Sequence, residues 1–183
     1  MVDRLIDEIV DFWFDEATKP YWFRQSGSFD RAVADTLGPH HEAAARGDYD
    51  HWMDDVDGCI ALCILLDQVP RNIHRGDRRA FATDAKALAV SDHAIANGFD
   101  LECNADERTF LYLPYEHQED LASQERSVVL FTERVDDPEA IDYALRHREV
   151  IRRFGRFPHR NAVLGRPGTP EEEAFLQEPG SSF

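Results

Sequence analysis

The stretch DGCIALCILLDQVP, residues 57–70, decides how this chain is read. From Cys59 to Leu66 every side chain is apolar, the longest such run in the sequence. That run is far shorter than the roughly 20 residues a helix needs to cross a bilayer. Asp57 is a good N-cap and Pro70 a good stop, so the stretch predicts a buried helix from Gly58 to about Gln68. Cys59 and Cys63 fall four apart inside it, the spacing of two small core side chains; a metal there would need two further ligands nearby.

Working outward, the same helical spacing recurs. Toward the N-terminus, Leu5, Ile6, Ile9, Val10 and Trp13 form a stripe that predicts a helix capped by Asp3 and ending near Phe14. The segment from Ser28 to Arg46 reads as helix stopped by Gly47, with Gly38 and Pro39 expected to kink or divide it. Toward the C-terminus, Asp77 is expected to cap a long helix to about Asn97, and Asn104 one to about Tyr112 that Pro114 interrupts. A further helix is expected from about Tyr115 to Arg134. Asp137-Pro138 opens another, with Ile141, Ala144, Leu145, Ile151 and Phe154 on one face and Gly155 as its stop. Thr169, Pro170 and Glu172 form a capping box for a short last helix. No stretch alternates apolar and polar residues as a half-buried strand does. The expectation is a single all-α domain over residues 1–183, a compact antiparallel bundle of about seven to nine helices.

The formal charge is −16, which disfavours nucleic acid and anionic membranes as partners. Against that background, residues 146–166 carry seven arginines and one acid, Glu149. The acidic N-terminus (Asp3, Asp7 and Glu8 around Arg4) does not read as a secretory signal. Three unpatterned cysteines give no disulfide framework, so a cytoplasmic protein with reduced thiols is expected.

Three polar strings are not explained by helix patterning: LDQVPRN (66–72), YLPYEHQED (112–120), and the segment from His147 through FGRFPHRN (154–161) to Leu164-Gly-Arg166. Together with DFWF (11–14) and GSSF (180–183), they resemble a bacterial family catalogued as domain of unknown function 924. The resemblance spans essentially the whole chain. It implies an all-helical fold similar to the tetratricopeptide-like superfamily and brings no activity with it.

Read as chemistry, His117, Asp120 and Gln124 fall at i, i+3 and i+7 and would share one helix face, flanked by Glu116 and Glu119. His147 lies on a buried stripe and needs a partner, which Asp120 or Glu116 could supply. Glu116, His117, Asp120 and His147 are therefore the candidates for acid–base work. Asp67, Gln68, Arg71, Asn72, Gln124, Arg153, Arg156, His159, Arg160 and Asn161 are candidates to line a polar pocket for a small anionic ligand, a role suited to arginine's planar fork. The same residues could instead be a structural network tying loops to helices, with Asn72 and Asn161 capping turns. No zinc spacing occurs, and the arginines would oppose a cation, so no metal is expected. No Gly-rich phosphate loop is present, and no cofactor is expected. An alternative is a helical scaffold binding a protein or peptide, which exposed Trp13, Trp22, Phe23 and Trp52 would support. Finally, the tail Pro179–Phe183 is expected to fold back, with the Phe183 carboxylate on Arg153, Arg156 or Arg160.

Overall fold

A computed structural model describes residues 4–182. Among these residues all regular structure is helical: α1 (Arg4–Phe14), α2 (Gly27–Arg46), α3 (Val56–Cys63), α4 (Val69–Ile73), α5 (Asp84–Ala96), α6 (Ala105–Glu116), α7 (Leu121–Leu130), α8 (Pro138–Phe154), α9 (Asn161–Leu164) and α10 (Pro170–Phe175). A π turn, Ile64–Gln68, joins α3 to α4 without a break. Short 3-10 turns link several of the others. No described helix is long and apolar enough to cross a membrane.

The apolar stretch 59–66 is fully buried and forms the middle of the core, flanked by α1, α2, α5 and α6. Each Leu or Ile so buried contributes about 1.5–3 kcal/mol. On α1, Ile6, Ile9 and Trp13 face inward, and Trp13 meets Phe110 edge-on at 5.5 Å. The proposed Asp3 cap lies outside the described residues. Cys59, Cys63 and Cys103 are free and buried. A smaller cluster of Val150, Ile151 and Phe157, extended by Phe154 and Phe175, holds the C-terminal segments.

Several helix ends fall where local chemistry puts them. Asp137 accepts the Glu139 and Ala140 amides, Gly155 ends α8 with φ 70°, and the Thr169–Glu172 capping box opens α10. Other expectations need correction. Asp55 caps α3, and Asp57 is its second residue. Asp77 caps only a 3-10 turn, Arg78–Phe81, and α5 starts later, at Asp84. Pro39 sits inside an unbroken α2. On α8, Leu145 is exposed, whereas His147 lies with Ala144, Val150 and Ile151 on the buried side, as its spacing predicts.

The largest departures concern the prolines. Pro70 does not end the apolar helix, because the π turn before it widens the backbone and side chains take up the carbonyls it frees. The Leu65 carbonyl accepts from His41 Nδ1 at 2.7 Å, that of Leu66 from Thr83 Oγ1 at 2.5 Å, and that of Asp67 from Arg71 Nη1 at 2.7 Å. Pro114 is likewise carried within α6, which ends at Glu116. The true break is 117–120, where Gln124 Nε2 donates to the carbonyls of Glu116 (2.6 Å) and Gln118 (2.8 Å), and Asp120 caps α7. His117, Asp120 and Gln124 therefore do not share a helix face. His117 is the C-cap of α6, and α7 with its following π turn ends at Val135.

Candidate functional site

The π turn places Asp67 and Gln68 side by side in the interior. Asp67 Oδ1 lies 2.7 Å from His117 Nδ1 and 3.3 Å from Arg71 Nη1, and Oδ2 accepts from Gln68 Nε2 at 2.6 Å. Burial alone would raise the Asp67 carboxyl, but Arg71 and His117 outweigh it and hold it well below the usual carboxylate range. Arg71 also forms a two-pronged pair with Asp84, at 2.8 and 3.0 Å. Asp84 is the first residue of α5, and nothing in the sequence marks it as Arg71's partner.

Arg160 enters from the turn before α9. It is 6% exposed, and its guanidinium is stacked between the rings of Phe81 (4.4 Å) and Phe157 (4.6 Å). Its nearest carboxylate oxygen, Asp84 Oδ2, is 3.6 Å from Nη1, beyond hydrogen-bonding distance. Its Nε is buried without a hydrogen-bond partner. Burial and the nearby Arg71 cation push it down to about 10.

Below this layer lies a second acid–imidazole pair. Glu116 Oε1 is 3.2 Å from His147 Nδ1, and that nitrogen also lies 2.8 Å from the Tyr143 carbonyl. Burial, with the Asp67 charge, raises Glu116 to about 8, and burial drives His147 well below its ordinary value. Both shifts favour the neutral forms. The His117 and His147 rings are 6.3 Å apart. His159 is lowered to about 4 by burial and by Arg160.

The structure thus gathers Asp67, Gln68, Arg71, Glu116, His117, His147, His159 and Arg160, together with Asp84, Phe81 and Phe157, which the sequence did not single out. It places the other candidates elsewhere. Asp120 caps α7 and does not serve His147. Gln124 holds the 116–118 backbone. Asn72 donates to Asp30 on α2 rather than capping a turn. Arg153 pairs with Glu171, and Arg156 with Glu172, to which Asn161 also donates. Glu119, only a flanking residue in the sequence reading, accepts the Phe157 amide at 2.7 Å and both terminal nitrogens of Arg166. It thereby fixes the loop that presents His159 and Arg160. Of the four aromatics, Trp13 and Trp52 are buried, Trp22 is half-buried and Phe23 is 70% exposed. The Phe183 carboxylate lies outside the described residues. Before it, Gly180 turns with φ 75° and its carbonyl accepts from Arg146 at 3.3 Å.

Two open concavities, of about 700 and 490 Å³, lie away from this cluster, beside α1 and the start of α6 and beside the start of α3. Acids such as Asp11, Glu16, Asp57 and Glu107 line them, so they are unsuited to an anion. No group of His, Cys, Asp and Glu among the described residues is arranged to hold a metal ion.

Residues 9–180 match the family described as bacterial protein of unknown function (DUF924). The chain belongs to this family. A solved structure of a protein of unknown function from Agrobacterium tumefaciens superposes with a TM-score of 0.91 at 41% sequence identity, covering 95% of this chain and 97% of that one. No curated protein matches. The DUF924 assignment accords with the all-helical fold and leaves the chemistry to be argued from the cluster itself.

Proposed function

We propose that the protein binds a small oxyanion, a carboxylate or phosphate, at the Arg71–Asp84–Arg160 end of the buried network. The observation that carries this is Arg160: a buried cation with an idle Nε–H and no carboxylate within hydrogen-bonding distance. A buried, poorly paired charge is costly. An oxyanion received by that Nε–H would offset the cost through the fork geometry at which guanidinium excels. The scaffold reading draws on Phe23 alone, whose exposed ring stacks on Phe110. The free, buried cysteines support a cytoplasmic setting.

The test is thermal unfolding in increasing inorganic phosphate, sulfate and small carboxylates, for the wild type, Arg160→Met and Arg156→Met. A ligand that binds only the folded state at 100 times its Kd stabilises by about 2.7 kcal/mol. The wild type and Arg156→Met should show a concentration-dependent rise in Tm and Arg160→Met none. An equal response from wild type and Arg160→Met, or none from the wild type, defeats the reading.

A further inference from the structure

His117 is held at both ends of its chemistry. Its backbone N–H closes α6 on the Leu113 carbonyl at 3.0 Å, and its Nδ1 meets Asp67 Oδ1 at 2.7 Å. An ionised Asp67 can only accept, so Nδ1 carries the hydrogen and Nε2 the lone pair. No hydrogen bond to Nε2 is formed among the described residues, and the side chain retains 14% exposure. An acid–base group requires this arrangement: one nitrogen oriented by a carboxylate, the other open.

We propose that His117 is the acid–base group of the oxyanion site: Nε2 takes a proton from the bound anion's own hydroxyl or from a water held against it, while Asp67 keeps the Nδ1 hydrogen in place. The O–H bond breaks with its electron pair left on oxygen, and a new N–H bond makes the imidazolium, whose charge Asp67 balances. This role rests on the oxyanion reading above. The charged and titratable groups facing His117 are Asp67 and Arg71 from the π turn and α4, Asp84 from α5, Glu116 beside it on α6, His147 from α8, and His159 from the turn before α9. Burial and Arg71 keep the ring neutral against the pull of Asp67 and Asp84. An anion arriving beside Arg160 adds negative charge to this set and so favours the protonated ring. Binding and proton uptake are therefore coupled.

The experiment is calorimetric titration with sulfate, which does not itself titrate near neutrality, at pH 7 in two buffers of different protonation enthalpy. Wild-type heat should differ between the buffers, reporting proton uptake, and His117→Asn should bind sulfate with the same heat in both. Sulfate binding with buffer-independent heat in the wild type, or with buffer-dependent heat in His117→Asn, overturns the role of His117 and leaves the oxyanion reading standing. Absence of sulfate binding overturns the role of His117 as proposed, and the oxyanion reading falls with it if phosphate and small carboxylates also fail to raise Tm. A second measurement needs no variant. Diethyl pyrocarbonate should acylate His117, with Nε2 attacking the carbonyl and expelling ethyl carbonate, and saturating sulfate should slow that acylation severalfold, read by peptide mass. A His117 that stays unmodified overturns the proposal as well.

Discussion

Arg156 and Arg160 lie four residues apart in one segment, carry the same charge and end in opposite situations. Arg156 closes on Glu172 with two hydrogen bonds, at 2.7 and 2.8 Å, and the same carboxylate also receives Asn161 Nδ2 and the Thr169 amide. Every partner there comes from this protein. Arg160 is more deeply buried, is stacked between two phenylalanines and has an Nε–H that nothing receives. The difference separates a clamp from a site. A saturated pair fixes the chain, whereas an unsaturated buried cation holds binding energy in reserve and costs stability while empty.

The largest effect is expected at Asp67, the hub of the open network. Asp67→Asn leaves Arg71 short of a charge partner and His117 without its anchor, and breaking a buried pair in this way costs about 3–5 kcal/mol. Denaturant unfolding would measure it. A loss no greater than that of an exposed ion pair would remove the distinction between the two regions, since Asp67 would then be no more central than a surface acid.

The next effect depends on pH. Glu116 is raised to about 8 from an ordinary 4.5, so the folded state holds a proton that the unfolded chain releases between those values. Its contribution is fully present below 4.5 and is lost as pH rises toward 8. Glu116→Gln should remove that loss and leave the variant more stable than wild type at pH 8. Glu172 has the opposite sign. Held down to about 2 chiefly by Arg156, it stabilises above 4.5 and loses that contribution as pH falls toward 2. The stability difference from wild type should grow between about pH 2 and 4.5 for Glu172→Gln, as a loss, and between 4.5 and about 8 for Glu116→Gln, as a gain. Differences that grow over one shared range would show that the clamp and the network titrate as one unit.

Swapping the two arginines for methionine sharpens the contrast further. Arg160→Met removes a buried cation but leaves Asp84 its two hydrogen bonds to Arg71, so no uncompensated charge remains and stability should change little without ligand. Arg156→Met should lower stability, because Glu172 keeps its burial and loses its partner. If Arg160→Met proves the more damaging of the two, Arg160 is structural and the oxyanion reading weakens.

These contrasts also show what the sequence could disclose. Asp137-Pro138, Gly155 and Thr169-Pro170 mark helix ends correctly because a cap acts within four residues. Pro70 misleads for the complementary reason: the groups that let the helix run past it, Thr83 and His41, come from elsewhere in the sequence. The Glu116–His147 pair is foreseeable, since a histidine on a buried stripe demands a partner and Glu116 is among the few acids in the polar strings. Asp84 is not, because an acid in the first turn of a helix is ordinary and only folding brings it against Arg71 and Arg160. Arg156 and Arg160 look alike in FGRFPHRN for the same reason: what distinguishes them is the partner each meets, not the residue.

The smallest expected effect tests whether the clamp is independent of the site. Thr169 Oγ1 accepts the Glu172 amide at 3.2 Å, and Glu172 Oε2 accepts the Thr169 amide at 2.8 Å. Thr169→Ala removes the first bond and leaves the second possible, so the loss should match an ordinary N-cap, about 1 kcal/mol. Thr169 is itself exposed, which leaves no cavity to add to that cost. Because Glu172 keeps Arg156 and Asn161, the segment carrying Arg160 should stay in place, and the sulfate-induced rise in Tm should equal that of wild type. A Thr169→Ala protein that loses the sulfate response along with its cap would show that the clamp positions Arg160, and the two regions would have to be treated as parts of one device.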